Sequence, residues 1–242
     1  MNGDAGASPT AVVTGASRGI GLEVARALVA AGFRVAMLAR SESNLRARAG
    51  ELGDTKLAIA LPCDVADAES VSRVAQLATV QLGGPPDVLV NNAGLFKLAP
   101  VVRTDPQDFR DALDTNLVAP FLLVRAFLPA MIDRGSGHIV NIGSIADRVT
   151  FPENAAYAAS KFGLRAFHEV LRTELRGTGV RASLVSPSPV DTPLWDEIDP
   201  DSRPGFTPRR LMLRASAVAD AVRYVVSAPA DVNVDELRLS HS

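Results

Sequence analysis

Short apolar runs, four to six residues long, alternate along this chain with longer stretches whose apolar positions recur every three to four residues. The first pattern is that of a buried strand and the second that of an amphipathic helix. Strands are predicted at 11–14, 34–39, 56–61, 87–91, 137–142, 180–185 and 236–239. Helices are predicted at 19–31, 42–52, 68–82, 106–134, 153–176 and 215–227, with Gly32 closing the first as a C-terminal cap. Regular alternation with short connections gives an α/β fold. It is a doubly wound parallel sheet of the Rossmann type, with right-handed crossovers and helices on both faces. No repeat or low-complexity linker divides the chain, so 10–242 reads as one dinucleotide-binding domain behind a mobile tail at 1–9. One long irregular segment, about 187–213, carries six prolines. It leaves the carboxyl end of a strand, where open α/β sheets bind ligands, and is the expected substrate loop.

Composition narrows the function classes. The chain of 242 residues is 47% hydrophobic, with a formal net charge of −2 and no dense Lys/Arg cluster, which argues against a nucleic-acid partner. Its single cysteine, Cys63, has apolar neighbours and fits a reducing, cytoplasmic setting better than a disulfide or a nucleophile. His138, His168 and His241 lie too far apart in sequence to suggest a metal site. The N-terminus shows no basic and apolar signal-peptide pattern, and no apolar run reaches the ~18 residues of a membrane span, so no membrane association is expected.

The candidate chemistry sits at strand ends. Thr14 to Gly21 joins the first strand to the first helix with the spacing GxxxGxG. Gly15 permits the tight turn, Gly19 lets backbone approach a pyrophosphate, and Gly21 allows close helix–strand packing. The helix N-terminus offers free N–H groups to an anion. An NAD-selective site places an acid near the end of the second strand, but here that place holds Arg40. Arg40 and Arg18 together suit a 2′-phosphate, and NADP(H) is the expected cofactor; both could equally be solvated surface arginines. Tyr157 and Lys161 are four apart, on one face of a predicted helix. A nearby ammonium favours the phenolate, so Lys161 is expected to lower the Tyr157 pKa and fit it for proton transfer. Taken alone, such a pair is as readily an ordinary helix surface. Pro120 lacks an N–H, so the carbonyl of Asn116 loses its helical donor and a bend is expected there.

With these residues in place, the chain resembles the short-chain dehydrogenase/reductase family, NADP-preferring type, from Thr10 to about Ser240. The motifs carrying the resemblance are the Thr14–Gly21 loop, Asp64 after the third strand, Asn91 to Gly94, Asn116, Ser144, Tyr157 and Lys161. The resemblance implies an enzyme acting on CH–OH donors. Tyr157 would be the general acid/base, Lys161 would lower its pKa and hold the nicotinamide ribose, and Ser144 would orient the substrate oxygen. Asn116 would hold a water of a proton relay through its freed carbonyl. Gly15, Ser17, Arg18, Gly19, Ile20, Gly21 and Arg40 would contact the cofactor. So would Asp64, Val65, Asn91, Ala93, Gly94, Pro187, Val190 and Thr192. Asp64 could instead simply cap the next helix.

Ser188 stands where the family usually has glycine, which is expected to strain the turn. The C-terminal end lacks the Asp-Gly-Gly close of ketoacyl reductases, which weakens a 3-oxoacyl reductase role. Leu95, Phe96, Ile145, Val149, Leu194 and Trp195 would line a largely apolar pocket, with Arg148 a possible cation for an acidic substrate but more readily a surface arginine. The expected reaction moves a hydride between nicotinamide and the carbonyl or secondary alcohol of a small molecule. The alternative from another class is a non-catalytic, redox-sensing NADP(H)-binding regulator. The resemblance also implies a homodimer or homotetramer.

Overall fold

The computed structural model describes residues 8–53 and 56–242. Most of the expected tail, residues 1–7, lies outside the described residues, whereas Pro9 already accepts a hydrogen bond from the Arg34 amide at 2.8 Å.

The fully apolar runs become central strands. β1 (Thr10–Thr14) is buried at every position and β2 (Arg34–Ala39) at five of six. β3 (Ala58–Pro62), β4 (Val88–Asn91), β5 (Gly137–Ile142) and β6 (Val180–Pro187) follow, and β9 (Glu236–Leu239) completes a seven-stranded parallel sheet. Its order is β3-β2-β1-β4-β5-β6-β9, so the direction of winding reverses between β1 and β4. Two short strands, β7 (Val190–Asp191) and β8 (Leu213–Arg214), pair as a separate parallel ribbon that ties together the two ends of the proline-rich loop.

Helices cover both faces. α1 (Gly19–Ala30), α2 (Glu42–Glu51) and α7 (Ala215–Val226) bury Val24, Leu28, Leu45 and Val222 on one side. α3 (Ala68–Leu82), α5 (Ala119–Arg134) and α6 (Ala155–Glu174) bury Val74, Phe127, Met131 and Leu171 on the other. The bounds of α3 coincide with the expected ones because its signals are local. Asp67 accepts from the amides of Glu69 and Ser70 at its start, and Gly83 ends it in the left-handed conformation with φ of 80°.

The single helix expected at 106–134 is three pieces. α4 (Pro106–Leu113) passes through a π turn, Asp114–Val118, into α5. Pro120 offers no N–H to Asn116, and the helix widens by one residue, with the Ala119 amide reaching the Asp114 carbonyl. The expected bend is therefore a local widening. The whole 29-residue stretch, Pro106–Arg134, has a window of mean hydropathy 1.6, long and apolar enough by composition to cross a membrane. The stretch is interrupted by Arg125, so no continuous apolar run of ~18 residues is present in it. Leu123, Phe127 and Met131 of this helix are spent on the domain core.

Candidate active site

The carboxyl ends of β1, β2, β4, β5 and β6 open into one cleft of about 1200 Å³. It lies at the reversal of strand order, the place where open α/β sheets bind ligands.

Its floor is built by glycine geometry. Gly15 and Gly19 have φ of 66° and 56°, conformations that residues with a Cβ rarely adopt. A Cβ on Gly21 would lie 2.3 Å from the Gly15 carbonyl oxygen and 2.4 Å from the Asn92 amide nitrogen, so this glycine seats α1 on the strand ends and does not itself face the cleft. The neighbouring loop is locked to this one. Thr14 Oγ1 accepts from the amides of Asn92 and Ala93, both at 2.9 Å, and Asn92 Nδ2 donates to the Thr14 carbonyl at 2.8 Å. No side chain caps the N-terminus of α1. Its first amides are thus left to face the cleft between Ser17, Gly19 and Ile20.

Around the rim, Arg18 and Arg40 both line the cleft and are exposed. Neither forms an ion pair among the described residues. Asp64 and Val65 flank the same end of the cleft, and Asp64 Oδ1 closes its own turn by accepting from the Ala66 amide at 3.1 Å. The helix cap that Asp64 could have supplied is made by Asp67 instead. Ala93, Gly94, Pro187, Val190 and Thr192 line the opposite wall.

Two expected residues stand behind this surface. Asn91 is buried and donates from Nδ2 to Asn141 Oδ1 at 2.9 Å, stitching β4 to β5. Asn116 is buried too: its side chain accepts from the Leu95 amide at 2.7 Å and donates to the Leu95 carbonyl and to Ser160 Oγ, both at 2.9 Å. Neither residue lines the cleft; Asn91 leaves its Oδ1 without a partner among the described residues, and the Asn116 carbonyl on which its expected role rests lies in the π turn.

Ser188 does not strain its turn. Among the described residues, the positive-φ residues other than glycine are Glu153 and Asp199, and the Ser188 amide bonds the Leu239 carbonyl at 2.8 Å as an extension of the β6–β9 pairing. A glycine is not needed at that position.

Ser144, Tyr157 and Lys161 converge in the centre of the cleft. Ser144 follows β5 and starts a 3₁₀ turn, Ile145–Asp147. Tyr157 and Lys161 sit in the first half of α6. The phenol of Tyr157 is pushed up to about 12 by burial, against a hydrogen bond with Ser144 that pulls it down and the charge of Asp147 that raises it. Lys161 is pushed down to about 8 by burial, with Asp147 opposing. Its Nζ donates to the Ile142 carbonyl at 2.8 Å and lies 5.6 Å from the Tyr157 ring centroid. The expected depression of Tyr157 by Lys161 is therefore corrected. In the protein alone, desolvation is the leading cause for both groups, and neither is among the groups that shift the other.

Aromatic rings close the outer half. Phe96 meets Tyr157 edge-on at 4.8 Å between centroids and Trp195 at 5.1 Å, and Trp195 meets Phe206 at 6.4 Å. Leu95, Ile145 and Leu194 line the cleft as expected, whereas Val149 and Arg148 do not. Arg148 is turned away by its ion pairs with Asp147 and Glu236, both at 2.7 Å. The 187–213 loop is held over the cleft by Trp195 Nε1, which donates to the Val190 carbonyl at 3.0 Å. Arg203 reaches Glu153 at 2.6 Å, and Arg209 pairs with Asp191 and Asp196 at 2.8 and 2.6 Å. The residues missed from sequence were Phe206 and Asp147, while Asn92 lay inside the Asn91–Gly94 motif without a role of its own. Asp147 had a local signal, the Ser-x-x-Asp capping-box spacing from Ser144.

The chain is similar to known proteins along most of its length. Residues 9–203 match the family described as short chain dehydrogenase. A D-threitol dehydrogenase of Mycolicibacterium smegmatis is 36% identical over 233 residues, covering 94% of this chain and 89% of that one. Among solved structures, a metagenomic short-chain oxidoreductase in complex with NADP is 34% identical. It has a TM-score of 0.81 and covers 97% of this chain and 98% of that one. A single-substitution variant of actinorhodin polyketide ketoreductase with NADPH is 31% identical, with a TM-score of 0.87 and coverage of 97% and 96%.

Proposed function

Because the chain belongs to the short-chain dehydrogenase family and is thereby an oxidoreductase, we propose that it is an NADP(H)-dependent enzyme interconverting a carbonyl and a secondary alcohol on a small, largely apolar molecule. The observation that carries this reading is the convergence of Ser144, Tyr157 and Lys161 in the same cleft as the glycine turn and two uncommitted arginines.

The residues present fit the cofactor. Gly15 and Gly19 keep side chains off the loop, and the uncapped N-terminus of α1 offers donors to a pyrophosphate. Arg18 and Arg40 would hold a 2′-phosphate, Asp64 and Val65 would flank the adenine, and Val190 and Thr192 the nicotinamide; all six line the cleft. Bound NADPH supplies the hydride.

The chain supplies the rest. Ser144 donates a hydrogen bond to the substrate oxygen and fixes its direction. Tyr157 gives that oxygen its proton in reduction and takes it back in oxidation. A phenol held up to about 12 keeps its proton at neutral pH, which suits the reducing direction in the protein alone. Lys161 holds the ribose end; lowered to about 8 it still carries its charge at neutral pH, and an anionic partner nearby raises it again. The aromatic wall of Phe96, Trp195 and Phe206 excludes water and favours apolar substrate groups. The chain works in the cytoplasm and assembles as a homodimer or homotetramer through α5 and α6.

Trp195 is the only tryptophan and lines the cleft. NADPH binding should change its fluorescence, while a panel of ketones, aldehydes and oxo-acids is followed by loss of NADPH absorbance. Oxidation of NADPH by at least one carbonyl class supports the reading. A fluorescence change with no turnover on any of them favours a cofactor-binding regulator instead.

A further inference from the structure

Asp147 is fully buried at the end of the 3₁₀ turn that begins with Ser144. Its Oδ2 accepts from Ser186 Oγ at 2.5 Å and from the Ser144 amide at 3.4 Å, and its Oδ1 accepts from Arg148 Nε at 2.7 Å. Arg148 in turn pairs through Nη2 with Glu236 on β9 at 2.7 Å. The space for this cluster is made by Gly143, where a Cβ would lie 2.4 Å from Ser186 Oγ and 2.8 Å from Asp147 Oδ2. Ser144 returns the contact by capping the turn, its Oγ accepting from the Ala146 amide at 3.1 Å. A carboxylate buried this deeply is costly to keep unless its partners are held in place, and breaking one partner away is costlier still.

We infer that Asp147 is a positioning residue of the active site, fixing the backbone of Ser144 and placing a fixed negative charge beside Tyr157 and Lys161. This rests on the reading of Tyr157 as the proton donor. The charge acts on both groups in one direction: it raises Tyr157 and raises Lys161 against burial. In reduction both effects serve the same end, since the phenol keeps its proton and the ammonium keeps its charge over a wider pH range. Arg148 and Glu236 set how much of that charge is felt, so the C-terminal strand is coupled to the site. The titratable and polar groups around Tyr157 are Ser144 on the cleft wall, Asp147 behind it with Ser186 as its partner, Lys161 on its own helix, and the Glu153–Arg203 pair on the cleft lining.

The chain holds two tyrosines, Tyr157 and an exposed Tyr224 on α7. Tyr224→Phe therefore leaves Tyr157 as the only phenol, and its ionisation can be read by near-ultraviolet absorbance with circular dichroism confirming the fold. Adding Asp147→Asn keeps the shape, removes the charge and should lower the midpoint by roughly one pH unit, a tenfold change in phenolate at fixed pH. Adding Arg148→Gln removes the counter-charge instead and should raise the midpoint. Mere loosening of the site would lower both, because burial is what holds the phenol up. If Asp147→Asn does not fold, the upward shift in Arg148→Gln carries the test. An unmoved midpoint in Asp147→Asn, a downward shift in both variants, or loss of fold in both overturns the inference and assigns the cluster to stability alone. None of these outcomes bears on whether Tyr157 is the proton donor, which Tyr157→Phe turnover decides separately.

Discussion

The residues that decide this site differ in how far a neighbour in space, rather than in sequence, sets their chemistry. Tyr157 and Lys161 are four apart and share a helix face, and that much was legible from spacing alone. Their protonation was not. The ammonium is drawn to the Ile142 carbonyl at 2.8 Å, and the phenol answers to burial, Ser144 and Asp147. None of these is visible in a four-residue spacing. Arg18 and Arg40 were legible as cations at the right strand and loop ends, and they stay free of ion pairs among the described residues. Arg148 is kept out of the cleft by Asp147 beside it and by Glu236, far along the chain on the last strand. At this scale, Arg40→Ser should cost NADPH about 1.5–3 kcal/mol of charge-assisted hydrogen bonding while sparing NADH. Kinetics with both cofactors should show the preference for NADPH falling by roughly 10–150-fold. An unchanged preference would remove Arg40 from the cofactor site.

Elements were read best where their ends carry local chemistry. Asp67 and Gly83 bracket α3 at the expected positions, whereas the interior of 106–134 hid a π turn. Apolar periodicity cannot register one extra residue, and only Pro120 signalled it. That turn lets Asn116 clamp Leu95 from behind the cleft. β5 offers a test of element stability. His138 is buried on it, bonded to Ser183 Oγ at 2.8 Å, and is held down to about 3, chiefly by burial. Its folded value lies below the ordinary value of about 6.5, so the unfolded chain binds the extra proton first as pH falls. The stabilising contribution is full above about 6.5 and is lost toward 3, at up to ~1.4 kcal/mol per pH unit. His168, also lowered by burial, adds in the same direction. His138→Asn should move the midpoint of acid unfolding to lower pH, measured by circular dichroism. A midpoint that stays in place would mean that carboxylates, not this histidine, govern acid unfolding.

For the molecule as a whole, the strand order is seen only in the structure, whereas the parallel sheet and a ligand site at its carboxyl ends followed from the alternation of apolar runs. The loop over the cleft did not. Its β7–β8 ribbon and the clamps of Arg203 and Arg209 are contacts between distant residues with no periodic signature. Phe121 on α5 and Phe162 and Val170 on α6 remain exposed on one chain. Light scattering should therefore give a dimer or tetramer, and Val170→Glu should shift it toward monomer; a monomeric wild type would contradict the assembly. The central claim is that a buried phenol in an NADPH cleft gives a carbonyl oxygen its proton. It is tested most directly by comparing Tyr157→Phe with wild type on any carbonyl that wild type reduces, with Trp195 fluorescence confirming that NADPH still binds. The account predicts turnover lower by roughly 10²–10⁴-fold with cofactor binding retained; turnover equal to wild type would contradict it.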